Sequence, residues 1–309
     1  MPNNKRNGSD LVTQNGNPRS KDKISPLKKV AAIHDLSCFG RCALTVIIPT
    51  VSAMGNQVVP IPTCLLSTHT GGFTDMYFED HTDAVQQIGN HLSSIGLQFD
   101  CIYTGFLGSH EQIEIVEDFI DKFTDDKTLV LVDPVMGDDG VLYSTYTKEL
   151  MEGMSQLCKK ADVITPNLTE ACFLTGTQYR NTSDMTEQEL KDFALKLCQS
   201  LKKTEAKKAV VTGLRLGGDK LCVCGMDYFT DEFFLYAFPR VSKDYPGTGD
   251  LFASVLLGEL LRNNSFEQGV RYAADFTSKV MEYSSRFNTP KREGVAFEAF
   301  LGELAEGQR

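Results

Sequence analysis

A short glycine-rich segment, PGTGD at residues 246–250, leads directly into an apolar stretch with helical spacing. Gly247 and Gly249 let the backbone approach a ligand closely, and a helix N-terminus attracts anions such as phosphate. Asp250 would lie in the first helical turn, where a carboxylate can take a proton from an alcohol that attacks the phosphate. The segment therefore predicts phosphoryl transfer. The alternative is a well-capped helix, with Thr248 or Asp250 satisfying free N–H groups.

A second polar segment, DPVMGDDG at residues 133–140, follows an apolar run that is typical of a buried strand. Asp133 and Asp138 offer the hard oxygen ligands that Mg²⁺ prefers beside nucleotide phosphates. An Asp- and Gly-rich turn that only ends a strand is the alternative. No GKS or GKT sequence occurs, so a Walker A loop is excluded.

A third segment, TPNLTE at residues 165–170, also follows a short apolar run. The sequence predicts a helix with Pro166 in its first turn. Asn167 and Glu170 would then face phosphate or metal-bound water, unless they only cap the helix. Thr212 lies in a VTG sequence at the end of another predicted strand, where it could touch a nucleotide phosphate.

Two further polar segments suit a small polar ligand, namely HDLSCFGR at residues 34–41 and STHTGG at residues 67–72. Each follows a predicted strand. In open parallel sheets ligands bind at the carboxyl ends of the strands, and all these segments lie at such ends. A lone histidine such as His69 more often has a structural role. At the end of a strand and among other polar residues, a ligand contact and a structural role are about equally expected.

The elements that must position these segments alternate between strand and helix from residue 30 to residue 211, which predicts a parallel sheet with helices on both faces. Predicted strands are residues 30–33, 58–61, 101–103, 129–132, 163–164 and 209–211; predicted helices are residues 42–54, 84–95, 113–123 and 187–201. An antiparallel hairpin, residues 221–224 and 233–238, and two helices, residues 251–261 and 266–283, follow. The prediction is one α/β domain over residues 28–309, after a disordered polar tail at residues 1–27.

Composition narrows the function classes. The net charge of −10 argues against a nucleic-acid-binding protein, and no run of eighteen apolar residues predicts a membrane span. Nine cysteines without a CxxC pair fit reduced thiols and a cytoplasmic protein, and the five histidines are not spaced for zinc. The N-terminal segment lacks the apolar core of a secretory signal, and its acidic residues make a transit peptide the weaker interpretation.

The motifs DPVMGD, TPNLTEA and GTGDLFA, in this order and spacing, resemble those of the ribokinase-like superfamily. The resemblance is to its vitamin kinase branch, which contains pyridoxal kinases and hydroxymethylpyrimidine kinases, and it covers residues 30–295. It implies a mainly parallel central sheet with helices on both faces and a small antiparallel hairpin. It also implies ATP-dependent phosphorylation of a hydroxymethyl group, with pyridoxal, pyridoxine or pyridoxamine as the substrate, Mg²⁺ and K⁺ as assisting cations, and a homodimer.

The resemblance also implies a role for each motif residue. Asp250 would be the catalytic base, and the amides of Gly247, Thr248 and Gly249 would stabilise the transferring phosphoryl group. ATP would be bound by Asp133, Thr165, Asn167, Thr212 and Thr248, and the metal by Asp138 and Glu170. The vitamer ring would be bound by Ser37, with Asp35 as a competitor for that role, and by His69, Thr70 and Phe106.

The substrate-binding segments do not follow one subfamily. HDLSCFGRC is similar to the TDPSGGAG loop of the pyrimidine kinases, whereas LSTHTGGF is similar to the SNHTGY segment of pyridoxal kinases. The alternative function is therefore a hydroxymethylpyrimidine kinase, followed by a sugar or nucleoside kinase of the same superfamily. A silent vitamer-binding protein is a further alternative, which the intact Gly247, Gly249 and Asp250 disfavour because a carrier needs no anion hole beside a base.

Overall fold

The computed structural model describes residues 27–143, 146–241 and 243–306. The predicted N-terminal tail lies, apart from Leu27, outside the described residues. Within them, no helix is long and apolar enough to cross a membrane. Eight of the nine cysteines are buried and Cys38 is exposed.

A nine-stranded sheet forms the centre of the described chain, in the order β11-β10-β9-β8-β5-β4-β1-β2-β3. Its strands are β1 (Lys29–Phe39), β2 (Gln57–Thr68), β3 (Phe78–Asp80), β4 (Cys101–Thr104), β5 (Leu129–Val132), β8 (Val163–Ile164), β9 (Lys208–Leu216), β10 (Lys220–Asp227) and β11 (Glu232–Pro239), while β6 (Gly137–Asp138) and β7 (Val141–Leu142) pair separately. The six strands from β9 to β2 are parallel. Strands β3 and β10 join antiparallel at the two sides, and β11 pairs antiparallel with β10.

Helices cover both faces of this sheet. They are α1 (Leu44–Ala53), α2 (Thr82–Ser94), α3 (His110–Phe123), α4 (Lys148–Leu157), α5 (Leu168–Thr175), α6 (Glu187–Leu201), α7 (Thr248–Leu261), α8 (Phe266–Ser285) and α9 (Leu301–Glu306). Helices α2 to α6 pack on one face, and α1, α7, α8 and α9 on the other. Because successive strand side chains point to opposite faces, Ala31 and Ile33 enter the first core and Val30 and Ala32 the second.

The predicted α/β class, the parallel sheet with helices on both faces and the antiparallel hairpin are confirmed. The helix α4, which the sequence reading did not include, has Thr147 as N-cap and buries Leu150, Met154 and Leu157. Apolar residues at this four- and three-residue spacing are the usual signal of an amphipathic helix, so the pattern was present in the sequence.

Two local predictions are wrong. Pro166 does not lie in the first turn of a helix, because α5 begins at Leu168 with Asn167 as its N-cap. The first two strands are also longer than predicted, since they pair as far as Phe39 and Thr68, with a register shift between His34 and Leu36. The sequence predicted that residues 34–39, Ser67 and Thr68 follow these strands. They belong to the strands themselves.

Candidate active site

A cavity of about 480 Å³ lies at the carboxyl ends of the parallel strands. Every residue that the sequence singled out lines it: Asp35, Ser37, His69, Thr70, Phe106, Asp133, Asp138, Thr165, Asn167, Glu170, Thr212, Gly247, Thr248, Gly249 and Asp250. A second cavity, of about 470 Å³ beside α6, contains none of them. The first cavity is therefore the candidate active site.

The N-terminus of α7 forms one wall of this cavity. Gly247 is its N-cap in the left-handed region, at φ 76°. A Cβ at this position would lie 1.9 Å from the Arg41 carbonyl oxygen, so only glycine fits. No side chain caps the helix, and Thr248 instead donates its hydroxyl to the Tyr245 carbonyl oxygen at 3.1 Å. The first N–H groups of α7 thus remain available for an anion.

Asp250 lies in the first turn of α7, and its Oδ2 accepts a hydrogen bond from the Ala43 N–H at 2.8 Å. The side chain is half-buried at the cavity wall. This burial raises its pKa to about 8, helped by the charges of Asp133 and Asp35 and opposed by the Ala43 N–H. A carboxyl with a pKa near neutral pH is suited to accept a proton from an alcohol.

Ala43 holds this carboxyl from an unusual backbone conformation. It is the N-cap of α1 at φ 45° and ψ −132°, a region that non-glycine residues adopt rarely and at a cost of about 1–3 kcal/mol. The sequence reading did not find this residue, since alanine carries no chemical signal of its own. The observation shows that the orientation of Asp250 depends on the loop between β1 and α1.

Two buried carboxyls lie close to the ends of neighbouring strands, Asp133 directly after β5 and Glu170 in the first turn of α5, which follows β8. Thr165 donates its hydroxyl to Asp133 at 3.0 Å, and burial raises the pKa of Asp133 to about 7. Burial, followed by the charge of Asp133, holds the pKa of Glu170 well above its usual value. Such closely placed carboxyls are stabilised by a cation between or beside them.

Glu170 also connects two loops. Its Oε1 accepts from the Met136 N–H at 3.0 Å and its Oε2 from the Asn167 N–H at 2.8 Å, while Asn167 donates to the Gly137 carbonyl oxygen at 2.8 Å. Asn167 and Glu170 thus form the capping box that the alternative interpretation of this segment described. Thr212 is connected to Asn167 by an isolated parallel β-bridge.

Among the described residues, no group of three or more His, Cys, Asp or Glu side chains is arranged to hold a metal ion alone. Mg²⁺ in kinases is typically bound by one or two carboxylates together with phosphates and water, which fits this donor set. Asp138 is exposed at the cavity. The surrounding protein still removes part of the water around its carboxyl, which raises its pKa. Of the two predicted metal ligands, Asp138 is therefore exposed to the cavity, whereas Glu170 is buried.

The other wall of the cavity comes from β1, β2 and the loop after β2. Ser37 is fully buried and donates its hydroxyl to Oδ2 of the half-buried Asp35 at 3.0 Å. Thr70 is exposed and Phe106 half-buried. His69 accepts from the Gly71 N–H at Nδ1, at 3.0 Å, so its Nε2 carries the proton and donates to the Arg292 carbonyl oxygen at 2.6 Å.

A C-terminal segment that the sequence reading missed holds this wall in place. The Arg292 guanidinium donates to the Gly72 carbonyl oxygen at 3.2 Å and lies over the Phe73 ring, 4.7 Å from its centroid. The Arg41 N–H donates to the Glu293 carbonyl oxygen at 3.2 Å. These contacts join residues more than 200 positions apart, so no local pattern signals them.

Residues 31–294 match the model of the phosphomethylpyrimidine kinase family. The chain belongs to this family. The resemblance to the vitamin kinase branch and its ribokinase-like fold is thereby confirmed.

Solved and curated relatives agree with this membership. A putative phosphomethylpyrimidine kinase from Bacteroides thetaiotaomicron is 37% identical, with a TM-score of 0.85 over 91% of this chain and 94% of its own. A second crystal form of that protein, with a TM-score of 0.84, contains pyridoxal.

Two curated relatives are named as pyridoxal kinases and not as phosphomethylpyrimidine kinases. A pyridoxal kinase of Actinobacillus pleuropneumoniae is 28% identical over 80% of this chain and 90% of its own length. A putative pyridoxal kinase of Schizosaccharomyces pombe is 29% identical over 66% of this chain, but this chain spans only 59% of that protein. This chain is thus similar both to the phosphomethylpyrimidine kinase family model and to curated proteins that are named as pyridoxal kinases.

Proposed function

We propose that the protein transfers the terminal phosphoryl group of ATP to the 5′-hydroxymethyl group of pyridoxal or of another B6 vitamer. The observation that carries this proposal is the pairing of a carboxyl, Asp250, with the uncapped N-terminus of α7 in one cavity. An anion site beside a proton acceptor is what attack by an alcohol on a phosphate requires. The relatives named as pyridoxal kinases support the vitamer as the alcohol.

In this mechanism Asp250 accepts the proton of the hydroxymethyl group as its oxygen attacks the phosphorus atom. The N–H groups of Gly247, Thr248 and Gly249 stabilise the charge on the transferring phosphoryl group. These donors are fixed before substrate arrives, so little reorganisation is needed, and losing one such donor costs roughly 3 kcal/mol. Alignment and charge stabilisation supply most of the catalysis.

At the nucleotide end, we propose that Asp133, Thr165, Asn167, Thr212 and Thr248 contact ATP. Asp138 and Glu170 would hold Mg²⁺, Glu170 through water because both of its oxygens already accept backbone N–H groups. The ion would neutralise phosphate charge and reduce the electrostatic repulsion between the clustered carboxylates. Support comes from their common position on the cavity wall.

At the level of the whole protein, we propose one kinase domain over residues 28–309 that works in the cytoplasm as a homodimer, with K⁺ as an assisting ion. A family match over residues 31–294 and a single nine-stranded sheet support the domain. The homodimer and K⁺ rest on the resemblance to the vitamin kinase branch. Size-exclusion chromatography with light scattering tests the dimer, and activity in K⁺ against Na⁺ tests the ion.

A hydroxymethylpyrimidine or its phosphate is the second candidate substrate, because the family model is named for the phosphomethylpyrimidine kinases. The pyridoxal in the Bacteroides crystal and the curated pyridoxal kinases favour the B6 vitamer. The deciding experiment measures ATP consumption by the purified protein with Mg²⁺ and, in turn, pyridoxal, pyridoxine, pyridoxamine, hydroxymethylpyrimidine and ribose. Turnover confined to the B6 vitamers supports the proposal, and preference for the pyrimidine replaces it with the second candidate. ATP binding without turnover of any alcohol would indicate a silent binding protein.

A further inference from the structure

The cavity beside α6, here called the α6 cavity, has a lining opposite in charge to that of the active site. Arg180 and Lys196 line it, and no aspartate or glutamate does so among the described residues. The active-site cavity, of nearly the same volume, is lined by seven acidic side chains, with Arg215 as the one lysine or arginine among the described lining residues. In a chain with a net charge of −10, a cavity lined only by cations points to an anionic ligand. Its volume of about 470 Å³ suits a small molecule.

One face of α6 forms the floor of the α6 cavity. Residues 193, 196, 197 and 200 line it, and this three- and four-residue spacing puts them on one side of the helix. Phe193 and Leu197 are buried, whereas Lys196 and Ser200 are exposed. The Ser200 hydroxyl donates to the Lys196 carbonyl oxygen at 2.9 Å, which leaves Lys196 as the donor for a ligand on this face. The cavity thus combines an apolar floor with a positively charged rim.

Arg180 completes this rim from the loop after α5. That helix ends at Gly176, which lies in the left-handed region at φ 72°, and residues 177–180 then line the cavity. The guanidinium carbon of Arg180 lies 4.4 Å from the centre of the Phe193 ring. Attraction between the cation and the aromatic face holds the group in this position. The contact uses no N–H group, so the guanidinium keeps its donors for a ligand oxygen.

Neither cation is neutralised by a neighbouring carboxylate. Within the part of the chain that the structure describes, neither the Arg180 nor the Lys196 side chain forms an ion pair or donates a hydrogen bond. Hydrogen bonds from Thr186, helped by the charge of Arg180, lower the pKa of Glu189. However, Glu189 Oε2 already accepts from the Thr186 N–H and hydroxyl, both at 2.8 Å. The two cations therefore remain available for an anionic ligand.

Tyr179 supplies an aromatic wall that is common to the two cavities. On the active-site side, Gly140 lies against its ring, because a Cβ at Gly140 would lie 2.5 Å from Tyr179 Cδ1. The half-buried Tyr179 ring also lines the α6 cavity, next to the floor that Phe193 forms. Aromatic side chains favour stacked or edge contacts with a planar ring, and paired cations favour a phosphate.

We propose that the α6 cavity is a second binding site of the protein, for a planar aromatic ring that carries a phosphate group. Arg180 and Lys196 bind the phosphate oxygens, and the ring packs against Tyr179 and the apolar floor. The proposal goes beyond the proposed function, because this cavity contains none of the predicted site residues. For a B6 kinase such a ligand has two sources, the phosphorylated vitamer and a nucleotide.

Calorimetric titrations test the site with two probes, AMP and pyridoxine 5′-phosphate, which has no aldehyde to react with lysines. In the double variant of Arg180→Ala with Lys196→Ala, the number of bound molecules per chain should be one smaller than in the wild type for at least one probe. Arg180→Ala alone should weaken binding at this site about 10-fold, because charge-assisted contacts to phosphate are strong. Lys196→Ala alone should weaken it about 5-fold.

Lys191→Ala is the matched control, because Lys191 is an exposed lysine of α6 that does not line the cavity. It lies two residues before Phe193 and so on the other side of the helix. This variant should keep the wild-type number of bound molecules. Arg180 and Lys196 are also exposed, so their variants should keep the wild-type melting temperature and kinase turnover.

The two probes identify the source of the ligand. Loss of a pyridoxine 5′-phosphate site alone indicates the vitamer phosphate, loss of an AMP site alone indicates a nucleotide, and loss of both supports a site for either ring. Equal numbers of bound molecules in the wild type and the double variant, for both probes, would overturn the proposal. Inorganic phosphate that binds there within about 2-fold of the tighter probe would overturn the requirement for an aromatic ring. The sites are counted by difference, so a wild type without kinase activity would reject the proposed function and leave this test intact.

Discussion

The two ends of the cavity are built in different ways. At the phosphate end, three short segments at residues 133–140, 165–170 and 247–250 each supply several groups. The first two are joined directly, through Glu170 to the Met136 N–H and through Asn167 to the Gly137 carbonyl oxygen. At the vitamer end, the loop after β2 is held by Arg292, from the opposite end of the chain. The functional groups of the phosphate end thus lie together in short segments, although Asp250 is also held by the Ala43 N–H, 207 residues away, whereas the loop at the vitamer end is held by a separate segment that supplies none of the predicted site residues.

This difference suggests a division of labour. Phosphoryl transfer is the same for every substrate of a kinase, so its donors benefit from a rigid local framework. The alcohol differs between relatives, and a loop supported from a distance can change without disturbing the catalytic groups. Variants at the phosphate end should therefore change kcat, whereas variants at the vitamer end should change the vitamer KM.

The largest effect is expected from Asp250→Asn. The amide has nearly the same shape but cannot accept the proton of the alcohol, so kcat should fall about 10²- to 10⁴-fold. ATP binding, measured by calorimetry, should stay close to that of the wild type. Turnover near the wild-type rate would refute the assignment of Asp250 as the base.

Gly247→Ala should have the next largest effect. Its Cβ would meet the Arg41 carbonyl oxygen, and its φ of 76° disfavours alanine. The shifted N–H groups should lower kcat about 10²-fold or more, and the melting temperature should fall. Gly249→Ala is the matched comparison, because a Cβ there meets no atom within 4 Å and should leave the melting temperature unchanged. Equal thermal stability of both variants would contradict this explanation.

At the vitamer end, Arg292→Ala should have a moderate effect, on the vitamer KM rather than on kcat. It removes the hydrogen bond to Gly72 and the contact with the Phe73 ring, together worth about 1 kcal/mol. The vitamer KM should rise about 5-fold while kcat and the KM for ATP change little. Lys291→Ala, an exposed neighbour in the same turn, is the control. A fall in kcat with an unchanged vitamer KM would contradict the prediction that the two ends of the cavity control different kinetic constants.

The last prediction concerns the dependence of stability on pH rather than the activity. The pKa of Asp250 is about 8 in the folded protein against 3.8 for an ordinary aspartate, so between these values only the folded state holds the proton. The free energy of unfolding contributed by Asp250 therefore decreases as pH rises towards 8. Asp250→Asn should gain stability relative to wild type, by an amount about 4 kcal/mol larger at about pH 9 than at about pH 5. Urea titrations at both values test this, and a pH-independent difference would contradict it.

The same contrast explains what the sequence could predict. The phosphate-end residues lie in short motifs at strand and helix ends, where residue type and spacing indicate both the location and the chemistry. All of them line the cavity. The α/β order was equally readable, because the parallel strands are continuous apolar runs. The role of each residue remains a prediction that the variants above test.

The rest could not be predicted because it depends on tertiary geometry. The Ala43 N–H that holds Asp250 comes from a backbone conformation without a residue signature. The contact between Arg292 and the loop after β2 joins positions 220 residues apart. The orientation of Ser37 towards Asp35 requires the extended course of β1, which the sequence placed in a loop. Pro166 was misplaced because Asn167 competes successfully as the N-cap.

The contact between His69 and Arg292 also has a consequence for the order in which the protein is made. A ribosome releases His69 early, but the carbonyl oxygen that fixes its ring arrives 223 residues later. Domains fold as units during synthesis, so the loop after β2 gains this support only once the C-terminal segment has been made. The vitamer pocket is therefore completed only when synthesis is nearly finished, and a chain cut shortly before Arg292 would lose both this support and the buried side chains of Val295, Phe297 and Leu304.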